Sequence, residues 1–311
     1  MTRIVVATRF ASRAGDIARA LPDDEVIEVN DGTEMAILAD AEIAVGTNEP
    51  DRARRIISAL PRLRWYHTVG AGVDRLLVPE IVARDDLVLT NNSGAYDVPI
   101  AEHVLATIFA AAKNLPRLQA AQQRREWVGD PHDREVAGKT LVILGMGSIG
   151  GELAKLAAGV GMRVVGIRRT ARDGALTPDR LADAAAEADY LAVCAPLTPE
   201  TRGIVSADVI ARLPSQAWVI NIARGPIVDE PALLRACRDG KIGGAAIDAW
   251  WQEPLPADSE WWTLPNVIVT PHVSFSSERV RERTVNFFVE NVRRFERGEP
   301  LLNVVDKRRG Y

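Results

Sequence analysis

The feature that most constrains this fold is an alternation of short apolar runs with longer helical patterns. This series occurs twice along the chain. Alternating strands and helices favour parallel sheets covered on both faces. A helical pattern from residue 100 to 127, interrupted at Pro116, separates the two series, and another spans residues 278–297. Strands are predicted at Ile4–Ala7, Val26–Val29, Ile43–Val45, Arg64–Thr68 and Leu87–Thr90, then at Thr140–Leu144, Arg163–Ile167, Leu191–Ala195, Trp218–Ile222, Gly244–Ile247 and Val267–Thr270. The sequence therefore predicts an α/β protein with two doubly wound parallel-sheet domains.

Composition excludes several other classes of protein. With 311 residues, 47% of them hydrophobic, the chain can bury two ordinary cores. A formal net charge of −4 without a basic block argues against nucleic acid as a partner. The two cysteines, Cys194 and Cys237, have neither disulfide-framework nor metal-ligand spacing, so no metal is expected.

Membrane and export signals are not expected either. No run reaches the roughly 18 apolar residues of a membrane helix. The apolar run at Ile4–Ala7 is too short for a signal peptide. We therefore expect a cytoplasmic protein with no membrane partner.

The strongest local motif is a glycine-rich turn between a predicted strand and a predicted helix. After Thr140–Leu144 comes GxGxxG, formed by Gly145, Met146, Gly147, Ser148, Ile149 and Gly150. Its first glycine allows the tight turn, the second lets a pyrophosphate approach the backbone, and the third lets helix and strand pack closely. The helix N-terminus then offers N–H groups to the phosphates. This context predicts a dinucleotide-binding site.

The end of the next strand bears on cofactor choice. An NAD site places an acidic residue there for the ribose 2′-hydroxyl, but this chain has Arg168, Arg169 and Thr170. Arginine suits a 2′-phosphate through charged, bidentate hydrogen bonds. NADP(H) is therefore favoured, and a site that accepts NAD(H) as well stays possible.

Three later segments place polar residues just after apolar strands. Arg224 follows Trp218–Ile222, Glu253 lies shortly after Gly244–Ile247, and His272 follows Val267–Thr270. The carboxyl ends of parallel strands form the ligand crevice of such sheets. The three side chains are therefore expected to converge on the nicotinamide.

Taken in order, these motifs resemble the D-isomer-specific 2-hydroxyacid dehydrogenase family over nearly the whole chain. The resemblance includes Gly138-Lys139-Thr140 before the glycine turn, residues 195–201, the three segments just described and the closing Asn303-Val304-Val305. It implies a Rossmann cofactor domain at residues 100–275, inserted into a flavodoxin-like substrate domain at 1–99 and 276–311. It also implies a homodimer and an active site in the cleft between the domains.

The resemblance implies roles for individual residues. Arg224, Glu253 and His272 would be catalytic, with Arg224 and His272 also contacting substrate. The substrate loop of the first domain would be Val69, Gly70, Ala71 and Gly72. Besides the glycine turn and residues 168–170, the cofactor would contact Ala195, Pro196, Leu197, Thr201, Ala223 and Asp248.

These residue types suit the reduction of a 2-keto acid. Histidine titrates near neutrality, so His272 can give and retake the hydroxyl proton, and a neighbouring Glu253 would orient it and favour its charged form. Arg224 can bind a carboxylate with two parallel hydrogen bonds. Small residues at 70–72 allow backbone N–H groups to approach that carboxylate closely.

The substrate expected is a small 2-keto acid, of the glyoxylate or hydroxypyruvate type. Glu253 stands where formate dehydrogenases carry glutamine, and residues 70–74 lack the lysine of phosphite-oxidising relatives. An alternative is an NAD(P)(H)-sensing binding protein on the same fold, similar to the C-terminal binding protein corepressors.

Overall fold

The protein, described here by a computed structural model, forms two compact units. The structure describes residues 1–7, 13–30, 33, 38–129 and 134–311. The first unit comprises Met1–Tyr96 and Ser277–Tyr311, and the second comprises Asp97–Ser276. The second unit is therefore inserted in sequence between two segments of the first.

The first unit is built on a parallel five-stranded sheet with the order β2-β1-β3-β4-β5. Its strands are β1 (Arg3–Ala7), β2 (Glu25–Val29), β3 (Ile43–Gly46), β4 (Trp65–Thr68) and β5 (Val88–Thr90). Its helices are α1 (Ala14–Ala20), α2 (Pro50–Ala59), α3 (Pro79–Val82) and α10 (Val280–Glu296). This strand order is that of flavodoxin-like folds.

Side chains of this sheet alternate between two cores. Val5, Ala44 and Tyr66 pack on one face together with α2 and α3. Ile4, Ile43 and Trp65 pack on the other face with α1 and α10. Because both faces are covered, the central strands are apolar at nearly every position, as is usual in parallel sheets.

The second unit contains a parallel six-stranded sheet with the order β11-β10-β9-β8-β6-β7. Its strands are β6 (Thr140–Leu144), β7 (Arg163–Ile167), β8 (Tyr190–Val193), β9 (Trp218–Asn221), β10 (Gly244–Ile247) and β11 (Val267–Val269). Its helices are α4 (Asp97–Ala112), α5 (Leu115–Gln123), α6 (Ser148–Gly159), α7 (Leu181–Ala185), α8 (Ala207–Arg212) and α9 (Glu230–Arg238).

A single bridge extends this sheet beyond β7. Leu176 pairs in parallel with Ile167, and the Leu176 carbonyl accepts a 2.9 Å hydrogen bond from the Arg168 N–H. The bridge occupies the place that the third strand takes in a dinucleotide-binding sheet, whose order is 3-2-1-4-5-6. The predicted fold class, two doubly wound parallel-sheet domains, is confirmed.

The predicted helix from residue 100 to 127 differs from the observed elements. The break lies at Asn114, which adopts a left-handed conformation with φ 48°, and Pro116 sits in the first turn of α5. Proline is tolerated there because the first N–H groups of a helix have no helical acceptor. Trp127 lies beyond the end of α5, and the strand predicted at Leu191–Ala195 ends at Val193.

Candidate active site

Most of the predicted functional residues of the second unit follow neighbouring strands at one edge of its sheet. Strands β6, β8, β9, β10 and β11 are parallel neighbours, so their carboxyl ends share that edge. Just beyond these ends come Gly145, Ala195, Ala223 with Arg224, Asp248 and His272. The sheet thus gathers residues that are far apart in sequence.

The turn after β6 is tightly constrained by its glycines. Gly145 has φ 104°, and a Cβ there would lie 2.5 Å from the Ala195 nitrogen. A Cβ at Gly150 would lie 2.0 Å from the Gly145 carbonyl oxygen. A larger residue at Gly145 would force the turn away from the loop after β8, and one at Gly150 would force the helix away from the turn, so the fold requires glycine at both positions.

The middle glycine differs, because the space around it is open. A Cβ built on Gly147 would meet no described atom within 4 Å. Gly147 caps the 12-residue helix α6 without a side-chain hydrogen bond, and the first N–H groups of a helix have no acceptor within it. An open cradle at a helix N-terminus fits a dinucleotide pyrophosphate.

Side-chain contacts fix the two segments beside the glycine turn, which are β7 and the loop after β8. The Met146 side chain covers Gly166 of β7, where an added Cβ would lie 2.7 Å from the Met146 Cγ. In the loop after β8, the Thr201 hydroxyl donates to the Pro196 carbonyl over 2.6 Å. Ala195 is buried, while Pro196 is exposed and Leu197 and Thr201 are half-buried beside the same edge.

The end of β7 presents positive charge. Arg168 is half-buried and lies 3.7 Å from the Asp173 carboxylate, while Arg169 and Thr170 are exposed. Arg169 also interacts electrostatically with Glu200, in the loop after β8. Guanidinium groups at this strand end fit a 2′-phosphate better than a free 2′-hydroxyl.

The Asp248 carboxylate organises the turn that carries His272. It accepts hydrogen bonds from the Thr270 hydroxyl at 2.7 Å, the Val273 N–H at 2.9 Å and the Ser274 N–H at 3.0 Å. Burial acts to raise the pKa of Asp248, but these hydrogen bonds outweigh burial and lower that pKa below its usual value. Asp248 is therefore an anion that binds the turn carrying His272.

His272 and Glu253 form a direct pair. The His272 Nδ1 lies 2.8 Å from the Glu253 Oε1, and the same oxygen accepts a 3.1 Å hydrogen bond from the Trp250 N–H. His272 has φ 54°, which is uncommon for a residue with a side chain. The Asp248 and Glu253 contacts stabilise this conformation, so the imidazole orientation is determined by both carboxylates.

Hydrogen bonds to main-chain carbonyls fix the position of Arg224. Its carbonyl accepts a 3.0 Å hydrogen bond from the buried Asn221 amide, and its Nη1 donates to the Ala223 carbonyl over 2.7 Å. The next residue, Gly225, packs against the loop that leads to Glu253, because an added Cβ would lie 2.4 Å from the Trp251 nitrogen. This close approach places the Arg224 turn beside the loop of Trp250 and Trp251.

The tryptophans beside this site are structural. Trp251 stacks on Trp261 with ring centroids 5.8 Å apart, and Trp250 packs edge-on against both. The Trp250 indole donates to the Thr270 carbonyl over 2.9 Å, and the Trp251 indole donates to the Val228 carbonyl over 2.9 Å. This cluster links the loops after β9, β10 and β11.

Sequence reasoning missed the roles of His103 and Asn221. His103, on α4, brings its Nε2 to 3.5 Å from the Thr270 hydroxyl. Burial lowers the pKa of His103, and the charge of Asp248 only partly opposes this effect. The one available signal was position, since Asn221 ends a strand and His103 lies on a helix that is mostly apolar.

In the first unit, the predicted substrate loop follows β4. Residues 69–72 are half-buried, and the Val69 N–H donates to the Gly46 carbonyl over 3.0 Å. Gly70 lies close to Asn48, because an added Cβ would be 3.2 Å from the Asn48 amide nitrogen. The short distance leaves little room for a side chain at position 70.

The described residues offer neither a metal site nor a membrane-spanning helix. Across residues 1–7, 13–30, 33, 38–129 and 134–311, no cluster of three or more His, Cys, Asp or Glu side chains could hold a metal ion. Within those same ranges, no helix combines the length and apolarity needed to cross a bilayer.

Comparison with known proteins connects this site to one family. Residues 105–274 match the family model described as "D-isomer specific 2-hydroxyacid dehydrogenase, NAD binding domain". The D-3-phosphoglycerate dehydrogenase of Methanocaldococcus jannaschii is 32% identical over 94% of this chain, but the chain spans only 55% of that relative's length. The glyoxylate reductase of Korarchaeum cryptofilum is 31% identical over 86% of this chain and 83% of its own.

A solved structure is similar over the full length. An NADPH-dependent glyoxylate/hydroxypyruvate reductase from Sinorhizobium meliloti, solved with NADP and sulfate, superposes with a TM-score of 0.85. It shares 31% identity, and the match covers 100% of both chains.

Proposed function

Because this chain belongs to the D-isomer specific 2-hydroxyacid dehydrogenase family, we propose that it is an NAD(P)-dependent oxidoreductase acting on a small 2-keto acid or its D-2-hydroxy acid. Glyoxylate and hydroxypyruvate are the proposed substrates, on the likeness to the two reductases above. The observation that carries the proposal is the 2.8 Å His272–Glu253 pair, on the unit that also bears the phosphate-binding turn.

His272 is proposed to donate the proton in keto-acid reduction. Its Nδ1 is engaged by Glu253, so the Nε2–H of the imidazolium is the group that can protonate the keto oxygen. The nicotinamide cofactor, when bound, supplies the hydride. In the reverse direction His272 takes the hydroxyl proton back, and Glu253 stabilises the charge that results.

Arg224 and the loop Val69–Gly72 are proposed to bind the substrate carboxylate. A guanidinium presents paired N–H donors to a planar carboxylate, and it can also polarise the adjacent keto group. Backbone N–H groups of the loop can bind an anion in the same way as other main-chain nests. These assignments give residues 1–99 with 276–311 the role of a substrate domain.

The unit with residues 100–275 is proposed as the cofactor domain. Its open cradle at Gly147 and the Arg168–Thr170 segment support NADP(H) as the preferred cofactor, with NAD(H) possible. Ala195, Pro196, Leu197, Thr201, Ala223 and Asp248 are proposed to line the cofactor site beside the turn of residues 145–150. Asp248 would contribute to the cofactor site mainly by holding the turn that carries His272.

A homodimer is also proposed. Trp127 is fully exposed, and Phe109 and Leu115 on the neighbouring helices are 39% and 44% exposed, which is apolar surface that a second copy could cover. Sedimentation velocity over a range of protein concentrations tests this, and a purely monomeric profile would refute it. The cytoplasmic location stays a prediction.

The activity is tested with a panel of 2-keto acids, including glyoxylate and hydroxypyruvate, against NADPH and NADH. We expect loss of NADPH absorbance with at least one of them. Where the product is chiral, as glycerate from hydroxypyruvate is, only its D enantiomer should be oxidised. Tight NADP(H) binding without turnover on any acid would contradict the proposal and favour the cofactor-sensing alternative.

A further inference from the structure

Three carbonyl groups of the Val69–Gly72 loop, those of residues 69–71, are turned toward one short segment, residues 91–96. The Val69 carbonyl accepts hydrogen bonds from the Tyr96 hydroxyl and from the Asn92 side-chain amide, the latter at 3.3 Å. The Gly70 carbonyl accepts from the Asn92 N–H at 3.1 Å. The Ala71 carbonyl accepts from the Asn91 side-chain amide at 2.8 Å. Three successive carbonyls are thus bound by one segment.

This arrangement determines where the loop N–H groups point. A trans peptide directs its C=O and N–H to opposite sides. Since the carbonyls of residues 69–71 face the 91–96 segment, the N–H groups of residues 70–72 face away from it. The Gly70 N–H reaches the Thr68 hydroxyl only at 3.5 Å, and the Ala71 and Gly72 N–H groups donate to no residue in the described part of the chain.

The donors behind the loop are buried and fixed. Asn92 is fully buried, and Asn91 and Tyr96 are each 9% exposed. The Tyr96 hydroxyl is in turn hydrogen-bonded by the half-buried Arg13 guanidinium. A cation that donates to a hydroxyl strengthens the hydrogen bond which that hydroxyl donates, because bonds in a chain polarise one another. The Val69–Gly70 peptide therefore lies at the end of a polarised chain.

We propose that Tyr96 is a positioning residue for substrate binding: together with Asn91 and Asn92 it holds the loop carbonyls inward and so presents the N–H groups of residues 70–72 to the substrate carboxylate. This rests on the proposed function, since it assigns the loop a carboxylate ligand. Tyr96 itself makes no contact with the substrate in this scheme. Its hydroxyl acts through the peptide that joins Val69 to Gly70.

The test compares Tyr96→Phe with a matched control, Tyr66→Phe. Tyr66 is fully buried in the same unit, and its hydroxyl donates to the Thr47 carbonyl over 3.0 Å, so the control removes one buried tyrosine hydrogen bond without touching the loop carbonyls. Oxalate is the probe, because it offers a carboxylate and no reducible keto group. Its Kd is measured by following the amide ¹⁵N resonances of residues 70–72 in the full chain saturated with NADP⁺.

We expect oxalate to shift these resonances in the wild type and to bind Tyr96→Phe about 2–10-fold more weakly, the size of one net hydrogen bond. The KM for the keto acid rises by a similar factor while kcat changes by less than about twofold, because Tyr96 orients a binding group and not a reacting one. Tyr66→Phe lowers the melting temperature without changing either constant.

Three results would each overturn the inference. The first is wild-type resonances of residues 70–72 that do not respond to oxalate. The second is an equal oxalate Kd in Tyr96→Phe and the wild type, and the third is an equal loss of affinity in both tyrosine variants. Oxalate binding at the loop without NADPH oxidation on any keto acid has a different meaning: it rejects the proposed activity and leaves the role of Tyr96 in place.

Discussion

At the residue scale, His272, the proposed proton donor, combines an uncommon backbone conformation with a half-buried side chain. Its φ is 54°, and its side chain is 35% exposed although it is bonded to Glu253. A non-glycine residue in this region costs on the order of 1 kcal/mol or more. The three hydrogen bonds that Asp248 accepts from the surrounding turn offset this cost.

Replacing His272 with alanine removes the proposed proton donor. We expect kcat for keto-acid reduction to fall by about 10²–10⁴-fold, the usual contribution of general acid–base catalysis. The Kd of NADPH should change little, because the phosphate-binding turn is untouched, and it serves as the control for folding. Steady-state kinetics and a fluorescence titration measure the two quantities, and a variant with near-normal kcat would disprove the assignment.

Replacing Glu253 with glutamine keeps the shape of the acceptor and removes its charge. Because the carboxylate orients the imidazole and stabilises the charge that forms on it, kcat for keto-acid reduction should fall in Glu253→Gln, but by less than the about 10²–10⁴-fold expected for loss of His272 itself. Glu230→Gln is the matched control, since Glu230 binds the Trp261 indole at 3.2 Å and not the histidine. Equal kcat values for the wild type and Glu253→Gln would show that Glu253 does not act on His272.

At the scale of elements, β4 contains a buried titratable group outside the proposed chemistry. His67 is fully buried, and its Nδ1 lies 2.7 Å from the Thr90 hydroxyl, which also accepts from the Trp65 indole at 2.7 Å. The Thr90 hydroxyl, which accepts from Trp65, has its own proton to donate to Nδ1, and this arrangement suits a neutral imidazole. Burial lowers the pKa of His67 to about 4, with the Asn92 amide acting in the opposite direction.

This predicts acid sensitivity of the first unit. The folded pKa lies below the unfolded value of about 6.5, so the unfolded chain takes up the proton first as pH falls. The contribution of neutral His67 to stability is complete above about pH 6.5 and is lost progressively toward pH 4, by roughly 3 kcal/mol.

Urea unfolding from pH 7 to pH 4 measures this loss, and His67→Gln should flatten the pH dependence even if it lowers stability at pH 7. His103→Gln is the comparison variant for the first unit. Burial lowers the pKa of His103 as well, but His103 lies in the second unit, so its replacement leaves the acid sensitivity of the first unit in place. An equally steep loss of stability in His67→Gln and the wild type would contradict the prediction.

At the scale of the whole molecule, cofactor binding and stability are coupled. A ligand that binds only the folded state stabilises it by about 2.7 kcal/mol at 100 times its Kd. A charged hydrogen bond from Arg168 or Arg169 to a 2′-phosphate contributes about 1.5–3 kcal/mol. We therefore expect NADPH to raise the melting temperature more than NADH does at equal concentration.

Arg168→Asp should reverse that order, because aspartate repels the 2′-phosphate and accepts from a free 2′-hydroxyl. Arg163→Asp is the matched control: it makes the same charge change at the opposite end of β7, where Arg163 pairs with Glu187 at 2.9 Å. Thermal unfolding with each cofactor measures both variants. Equal shifts with NADPH and NADH in the wild type and in Arg168→Asp would show that Arg168 does not choose the cofactor.

Local patterns in the sequence determined the strands, the glycine turn and the fold class. Each of those features depends on a few adjacent residues, such as the apolar run Thr140–Leu144 followed by glycine, so it can be recognised from a short stretch of sequence. The helix break was misplaced by two residues because the signal at Pro116 was read as a stop, although proline is equally stable in a first turn.

Only the tertiary structure decided which polar groups meet. Asp248 and the Val273–Ser274 backbone are 25 and 26 positions apart, and Tyr96 and Val69 are 27 apart. No local pattern encodes these contacts, because they depend on neighbouring parallel strands ending at a common edge and on how their loops pack. The sequence by itself therefore determined the architecture and the residue types of the candidate site. Packing of the loops decided that Asp248 holds the His272 turn and that the 91–96 segment turns the loop carbonyls inward.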